Sequence, residues 1–201
     1  MSEPAISEPA VTPSGSGPGR LFNVANGLTV LRIVLIPVFV VLMVASEMTS
    51  PGYRIAAAFA FGIASLTDFA DGWVARTLKQ VTSFGQVADP IADKALTGTA
   101  LVLLSAYDAL PWWVTIVIMV REIGVTALRF WVIRFGVIPA SRGGKIKTVL
   151  LIAAITWYIW PFNDPLAAIG PWIMAVALVV TVVTGVDYVI RAIRVRAGAR
   201  T

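Results

Sequence analysis

From Phe22 onward the chain is a succession of apolar runs, and their length decides what surrounds them. A bilayer core of about 30 Å takes about 20 helical residues, each rising about 1.5 Å. Candidate spans lie at 27–46, 54–76, 85–106, 111–134, 146–162 and 168–192. The fifth is short and reaches across only if it starts near Lys145. The pattern predicts an all-α, multi-pass membrane protein with six transmembrane helices and both termini on one side.

Composition agrees. The 201 residues are 58% hydrophobic and 13% charged, against roughly 25% charged in an average soluble domain. So few charges cannot cover a water-facing surface, which argues against a cytosolic enzyme and equally against a disordered chain. The net charge of +5 does not imply a nucleic-acid partner, because the positive charges are not spread along a polar surface. Cysteine and histidine are absent. Their absence removes disulfides, thiolate metal sites, the commonest zinc ligand and the usual proton carrier near neutral pH. Catalysis must run on carboxylates, Arg, Lys, hydroxyls and metals that favour oxygen.

Residues 1–20 are rich in Ser, Pro and Gly, and Ser-Glu-Pro-Ala occurs twice (Ser2 to Ala5, Ser7 to Ala10). Such a segment buries too little apolar surface to fold. It also lacks the charged start and cleavage site of a signal peptide, so it reads as a disordered cytoplasmic tail on a membrane domain spanning 21–201. The cationic side chains orient that domain. Eleven of the 16 Lys and Arg fall on one side of the spans: Arg20, Arg76, Lys79, Arg134, Arg142, Lys145, Lys147, Arg191, Arg194, Arg196 and Arg200. Only Arg54 falls on the other side, and Arg32, Lys94, Arg121 and Arg129 lie inside spans. The bias places both termini in the cytoplasm. Tyr53, Tyr107, Trp112, Trp113, Trp160 and Trp172 fall near the outer interface, and Trp73, Trp131 and Tyr188 near the inner one, as aromatic belts do.

Four of the 11 acidic residues, Asp68, Asp71, Asp89 and Asp93, fall within 26 residues around one short cytoplasmic turn. Asp68 and Asp71 are spaced i,i+3 at the end of the second span. Asp89 and Asp93 are spaced i,i+4 at the start of the third, so each pair shares a helix face. A turn near 77–83 makes the two helices antiparallel neighbours and brings four carboxylates to one depth. Alone, such a cluster repels itself and protonates, and a carboxylate near hydrocarbon costs about 2.5–3.5 kcal/mol on insertion scales. Two divalent cations offset both costs, and an all-oxygen donor set selects Mg²⁺ or Mn²⁺. The plainer alternative is four helix-end carboxylates, solvated or paired with Arg76, Lys79 and Lys94. It explains one pair better than two facing pairs. Gly72 and Gly85 permit close approach of a helix or a nucleotide, and Pro90 is expected to kink or restart the third helix.

The residues Asp68-x2-Asp71-Gly72-x2-Ala75-Arg76-x8-Gly85-x3-Asp89-x3-Asp93 reproduce the signature of the CDP-alcohol phosphotransferase family, which this chain resembles. Eight fixed positions match by chance on the order of 10⁻¹⁰ times per start position at typical residue usage. The resemblance extends through Asn26-Gly-Leu-Thr29-x2-Arg32 with Pro37, Asp89-Pro-Ile-Ala-Asp93-Lys94, Arg121-Glu122 with Arg129, and Gly144-Lys145-Ile-Lys147-Thr148. These segments look like members whose acceptor is glycerol 3-phosphate. Residues 22 to about 150 are covered; the last 50 are merely hydrophobic and add little.

The resemblance implies an enzyme that transfers the phosphatidyl group of CDP-diacylglycerol to glycerol 3-phosphate and releases CMP. It implies two Mg²⁺ ions, with Asp68, Asp71 and Asp89 on one and Asp68, Asp89 and Asp93 on the other. Asp93 would also be the general base. Gly72, Arg76, Gly85 and Thr82, with Asn26 and Thr29, would line the CDP-diacylglycerol site. Arg121, Arg129, Ser141, Lys145 and Lys147 would receive the acceptor phosphate. It further implies a homodimer in the cell membrane, beside membrane lipids, with a cytoplasm-facing site.

Two features leave alternatives open. Arg142, Lys145 and Lys147 form a basic loop that suits an anionic acceptor, but also anionic lipid head groups. Arg121 and Glu122 lie near mid-membrane and point about 100° apart, so their partners are expected from other helices or an aqueous cavity. They read either as a buried ion network or as substrate contacts. Rival functions are the same chemistry with another acceptor (phosphatidylglycerol, inositol phosphate or serine), an intramembrane prenyltransferase using Asp-x2-Asp and Mg²⁺, and an aspartate-lined ion transporter.

Overall fold

The computed structural model describes residues 24–78, 83–132 and 142–198, with the side chains of 27–28, 30–67, 91–132 and 144–196. Six α-helices form this part of the chain: α1 Val24–Ser46, α2 Pro51–Leu78, α3 Ser83–Ala106, α4 Trp112–Val132, α5 Arg142–Ile159 and α6 Gly170–Gly198. A single 3₁₀ turn, Ala167–Ile169, leads into α6. No strand occurs among the described residues. The class is all-α, as the apolar runs predict.

Helix ends follow local chemistry. Pro51 opens α2, where the missing amide would have had no helical acceptor. The turn before it is held by Ser46, whose hydroxyl donates to the Met43 carbonyl at 2.7 Å and accepts from the Met48 amide at 3.1 Å. α5 begins at Arg142 and runs 18 residues, so it spans about 27 Å without the extension to 162 expected from sequence. α3 passes through Pro90 as one helix, so of the expected kink or restart, the restart does not occur. One proline removes one amide donor, and the remaining turns carry the helix on.

The described turns gather at one end of the bundle. Arg54, near the start of α2, donates to the carbonyls of Tyr158, Ile159 and Trp160 at 3.0, 3.0 and 3.2 Å, and to Met48 at 3.3 Å. It ties the end of α5 to the α1–α2 turn by capping carbonyls that have no amide of their own helix. The lone cation on that side is therefore a structural clamp. Tyr107, after α3, reaches the Val44 carbonyl of α1 at 3.5 Å. The helices accordingly alternate in direction, and the start of α1 lies at the same end as the close of α6.

The core lies where α1, α2, α3 and α5 meet. Ala57, Ala60, Phe61 and Ala64 are buried on one face of α2, and the three alanines let α1 approach closely. Phe39 packs on Phe61 with ring centroids 5.5 Å apart. The outward faces are apolar too: Leu66 is 67% exposed, Phe130 68% and Trp172 74%. Exposed apolar surface on this scale needs a partner that is not water. By length and composition, Ala167–Arg196 is long and apolar enough to cross a membrane, and Val30–Ser46 is a shorter apolar stretch.

Candidate active site

The four aspartates are carried by two helices that touch each other. Asp68 and Asp71 lie in α2, Asp89 and Asp93 lie in α3, and α2 contacts α3. Helical backbone at both pairs keeps each on one face, as its spacing requires. Of the four side chains only Asp93 is among those described. No group of three metal-ligating side chains occurs among the described residues. Gly72 and Arg76 lie in α2, Gly85 in α3, and Asn26 and Thr29 in α1, and their side chains fall outside the described set. Thr82 and Ser141 lie outside the described residues altogether.

Asp93 opens onto a cavity between α3, α4 and α5. Its polar wall is Asp93, Lys94 and Thr97 from α3, Glu122 from α4, and Lys147 and Thr148 from α5. Leu101, Ile118, Leu151 and Ile152 line the rest. A carboxylate from the aspartate signature and a lysine ammonium thus share one small space with an apolar floor. Gly98 allows the close approach of α3 to α4, since a Cβ there would stand 3.0 Å from Met119 Cε.

The lysine is held in place by the ion network that the sequence left open. Lys147 Nζ donates to Glu122 Oε1 at 2.6 Å, and Arg121 donates through one terminal nitrogen to the same oxygen at 2.8 Å. The other terminal nitrogen of Arg121 reaches Thr184 Oγ1 on α6 at 2.8 Å, and Thr184 in turn donates to the Val180 carbonyl at 2.7 Å. Part of this was expected, because Lys147 and Thr184 come from other helices. The direct Arg121–Glu122 bond was not. A long, flexible side chain bends across the 100° between neighbouring positions, which a rule about helix faces does not capture.

Two further sequence expectations change. Arg142, Lys145 and Lys147 belong to the first two turns of α5, not to a loop. Positions two apart in a helix point about 200° apart; Lys145 is exposed while Lys147 is 9% exposed. Only Lys147 of the pair lines the cavity. The last 50 residues also add more than hydrophobicity. Thr184 receives Arg121, and Gly185 makes room for it: a Cβ there would stand 2.9 Å from Arg121 Cγ and Nε. The Thr181-x2-Thr184-Gly185 grouping inside an apolar helix is the signal that could have revealed this. Arg129 lies apart from the cavity lining, its guanidinium 5.8 Å from the centroid of the Tyr188 ring. Arg32 is fully buried in α1.

The CDP-alcohol phosphatidyltransferase profile matches residues 22–183. The chain belongs to the CDP-alcohol phosphatidyltransferase family. A protein of Mycobacterium tuberculosis called "Probable phosphatidylglycerophosphate synthase" is 46% identical over 196 residues, covering 98% of this chain and 94% of that protein. Proteins called "CDP-diacylglycerol--glycerol-3-phosphate 3-phosphatidyltransferase" are similar in Bacillus subtilis, at 39% identity over 84% of this chain and 94% of that protein, and in Escherichia coli, at 36% over 83% and 93%. The resemblance carried by the aspartate signature is thereby shown at the level of the family. The family match ends at Val183, one residue short of the Thr184–Gly185 pair that supports Arg121.

Proposed function

We propose that the chain transfers the phosphatidyl group of CDP-diacylglycerol to glycerol 3-phosphate, giving phosphatidylglycerophosphate and CMP. The observation that carries this reading is the cavity in which Asp93 and Lys147 share a lining. An alcohol that bears a phosphate needs a proton acceptor for its hydroxyl and a cation for its charge, and this cavity offers both kinds of group. The names of the relatives support the same acceptor.

The acceptor hydroxyl attacks the phosphorus that bears the diacylglycerol, and the bond from that phosphorus to the CMP oxygen breaks. Asp93 accepts the hydroxyl proton. Lys147 has three donors, and one is spent on Glu122, so two can address the acceptor phosphate. Lys145, Arg121, Arg129 and Ser141 remain in the proposal as further contributors to that phosphate site. Asn26, Thr29, Gly72, Arg76, Thr82 and Gly85 are proposed to line the nucleotide side.

Asp68, Asp71, Asp89 and Asp93 are proposed to hold two Mg²⁺, for which Mn²⁺ can substitute. The fit rests on donor chemistry, since the four are hard oxygen ligands on two touching helices in a chain without His or Cys. When bound, the ions supply charge neutralisation on the diphosphate.

The protein is proposed to cross the cell membrane six times, with its termini and site on the cytoplasmic side and with a second copy as partner. The eleven-to-one cation bias, the alternating helices and their apolar outer faces support the spans. The resemblance supports the dimer.

The test is CMP release by detergent-purified protein given CDP-diacylglycerol and a panel of acceptors. Glycerol 3-phosphate should support release, and phosphatidylglycerol, inositol phosphate and serine should not. Release with phosphatidylglycerol alone would move the chain to the cardiolipin-forming reading.

A further inference from the structure

We infer that Glu122 is a positioning residue for the acceptor site, acting through Lys147. This deepens the proposed reading and rests on it, because it presumes that Lys147 meets the acceptor phosphate. One carboxylate oxygen, Glu122 Oε1, receives both Lys147 at 2.6 Å and Arg121 at 2.8 Å. The side chains of the three are 18%, 11% and 14% exposed, respectively. A lysine on a four-carbon stem has many rotamers, and fixing one of them costs entropy. Glu122 does that ordering before substrate arrives, which is where preorganisation improves binding. It also sets charge: two cations against one carboxylate leave a net +1 on the triad, and Asp93 and Lys94 add one charge of each sign to the cavity lining.

The carboxylate is itself braced. Arg121 is fixed from the far side by Thr184 at 2.8 Å, and Gly185 leaves the space its side chain fills. A chain of contacts therefore runs from α6 through α4 to the lysine on α5. It ends at the cavity that Asp93 lines. Glu122 lines that cavity as well, but as an anion it is a poor contact for an anionic acceptor. Its effect is transmitted by the cation it holds.

The experiment is a double-mutant cycle of Glu122→Gln and Lys147→Gln, with KM for each substrate, kcat and thermal unfolding in detergent as readouts. Glu122→Gln alone should raise KM for glycerol 3-phosphate about tenfold, leaving KM for CDP-diacylglycerol within about twofold. In the Lys147→Gln background the same change should add less than about twofold, because its route is already gone. Glu122→Asp, which keeps the charge, should fall between wild type and Glu122→Gln. If Glu122→Gln does not fold, the cycle is run with Glu122→Asp and read the same way. Multiplying effects in the double variant, or equal shifts in both KM values, would overturn the inference in favour of a purely structural role. Absence of any glycerol 3-phosphate use by the wild type would instead overturn the underlying reading, so the two failures are distinguishable.

Discussion

At the scale of single residues, the proposed site divides into groups that its spacing announces and groups that only contacts reveal. The four aspartates belong to the first kind, since i,i+3 and i,i+4 pairs flanking one turn have few purposes inside apolar helices. Asp89→Asn and Asp93→Asn should each lower CMP release by at least about a hundredfold, the lower end of what a proton acceptor or metal clamp contributes. Full activity in either variant would remove that residue from its proposed role. Removing divalent metal with a chelator should stop turnover, and Mg²⁺ should restore it. Glu122 belongs to the second kind. Sequence shows an acidic residue beside Arg121, and the side-chain torsions that join them have no signature in the letters. Arg54 is similar. Its isolation among cations was visible, but its four carbonyl acceptors on α5 and the α1–α2 turn required the fold. Arg54→Ala should cost stability more than activity, about 1–3 kcal/mol for the donors lost at the Met48, Tyr158 and Ile159 carbonyls, read as a lower unfolding temperature in detergent.

At the scale of the element, the helices were legible because each apolar run is long enough for a helix of about five turns. Apolar runs at 27–46 and 85–106 became α1 at Val24–Ser46 and α3 at Ser83–Ala106. The boundaries that moved did so for local reasons. α5 extends back to Arg142 because basic residues form helix as readily as loop, which turns a supposed basic loop into an amphipathic start with Lys147 inward and Lys145 outward. α6 was undervalued because threonine and glycine are common in membrane helices and mark nothing until a partner is seen. That partner gives a contrast between two glycines. Gly185→Val should destabilise by about 1–3 kcal/mol, as overpacking does, because the new side chain meets Arg121 at 2.9 Å with Thr184 and Glu122 holding it there. Gly98→Ala should cost much less. Its neighbour at 3.0 Å is the terminal methyl of Met119, and methionine adapts. Equal losses at the two sites, measured by thermal unfolding, would contradict the bracing role of α6.

At the scale of the whole molecule, charge and exposure state one arrangement in two ways. Among the described residues, apolar side chains cover the outside, and Lys145, Arg191, Arg194 and Arg196 stand near the helix ends opposite to the described turns. The absence of cysteine makes the proposed orientation directly measurable. In intact cells a single cysteine at Asp164 should react with a membrane-impermeant maleimide. One at Arg194 should react only after the membrane is opened. The reverse pattern would invert the topology and put the site on the wrong side for a cytidine nucleotide. The family was legible from the sequence because its signature fixes residue types at fixed spacing. The acceptor was less so, because a basic residue near a membrane serves lipid and substrate alike, and only the fold separates Lys147, buried, paired with Glu122 and lining the cavity, from the exposed Lys145.

The identity of the acceptor is read by following the acceptor itself. Purified protein receives CDP-diacylglycerol, Mg²⁺ and glycerol 3-phosphate labelled in its carbon skeleton. The label should pass into the lipid phase, one for each CMP released, in a product that carries two phosphates, and none should pass with Asp93→Asn. CMP release with the label left in water would contradict the account.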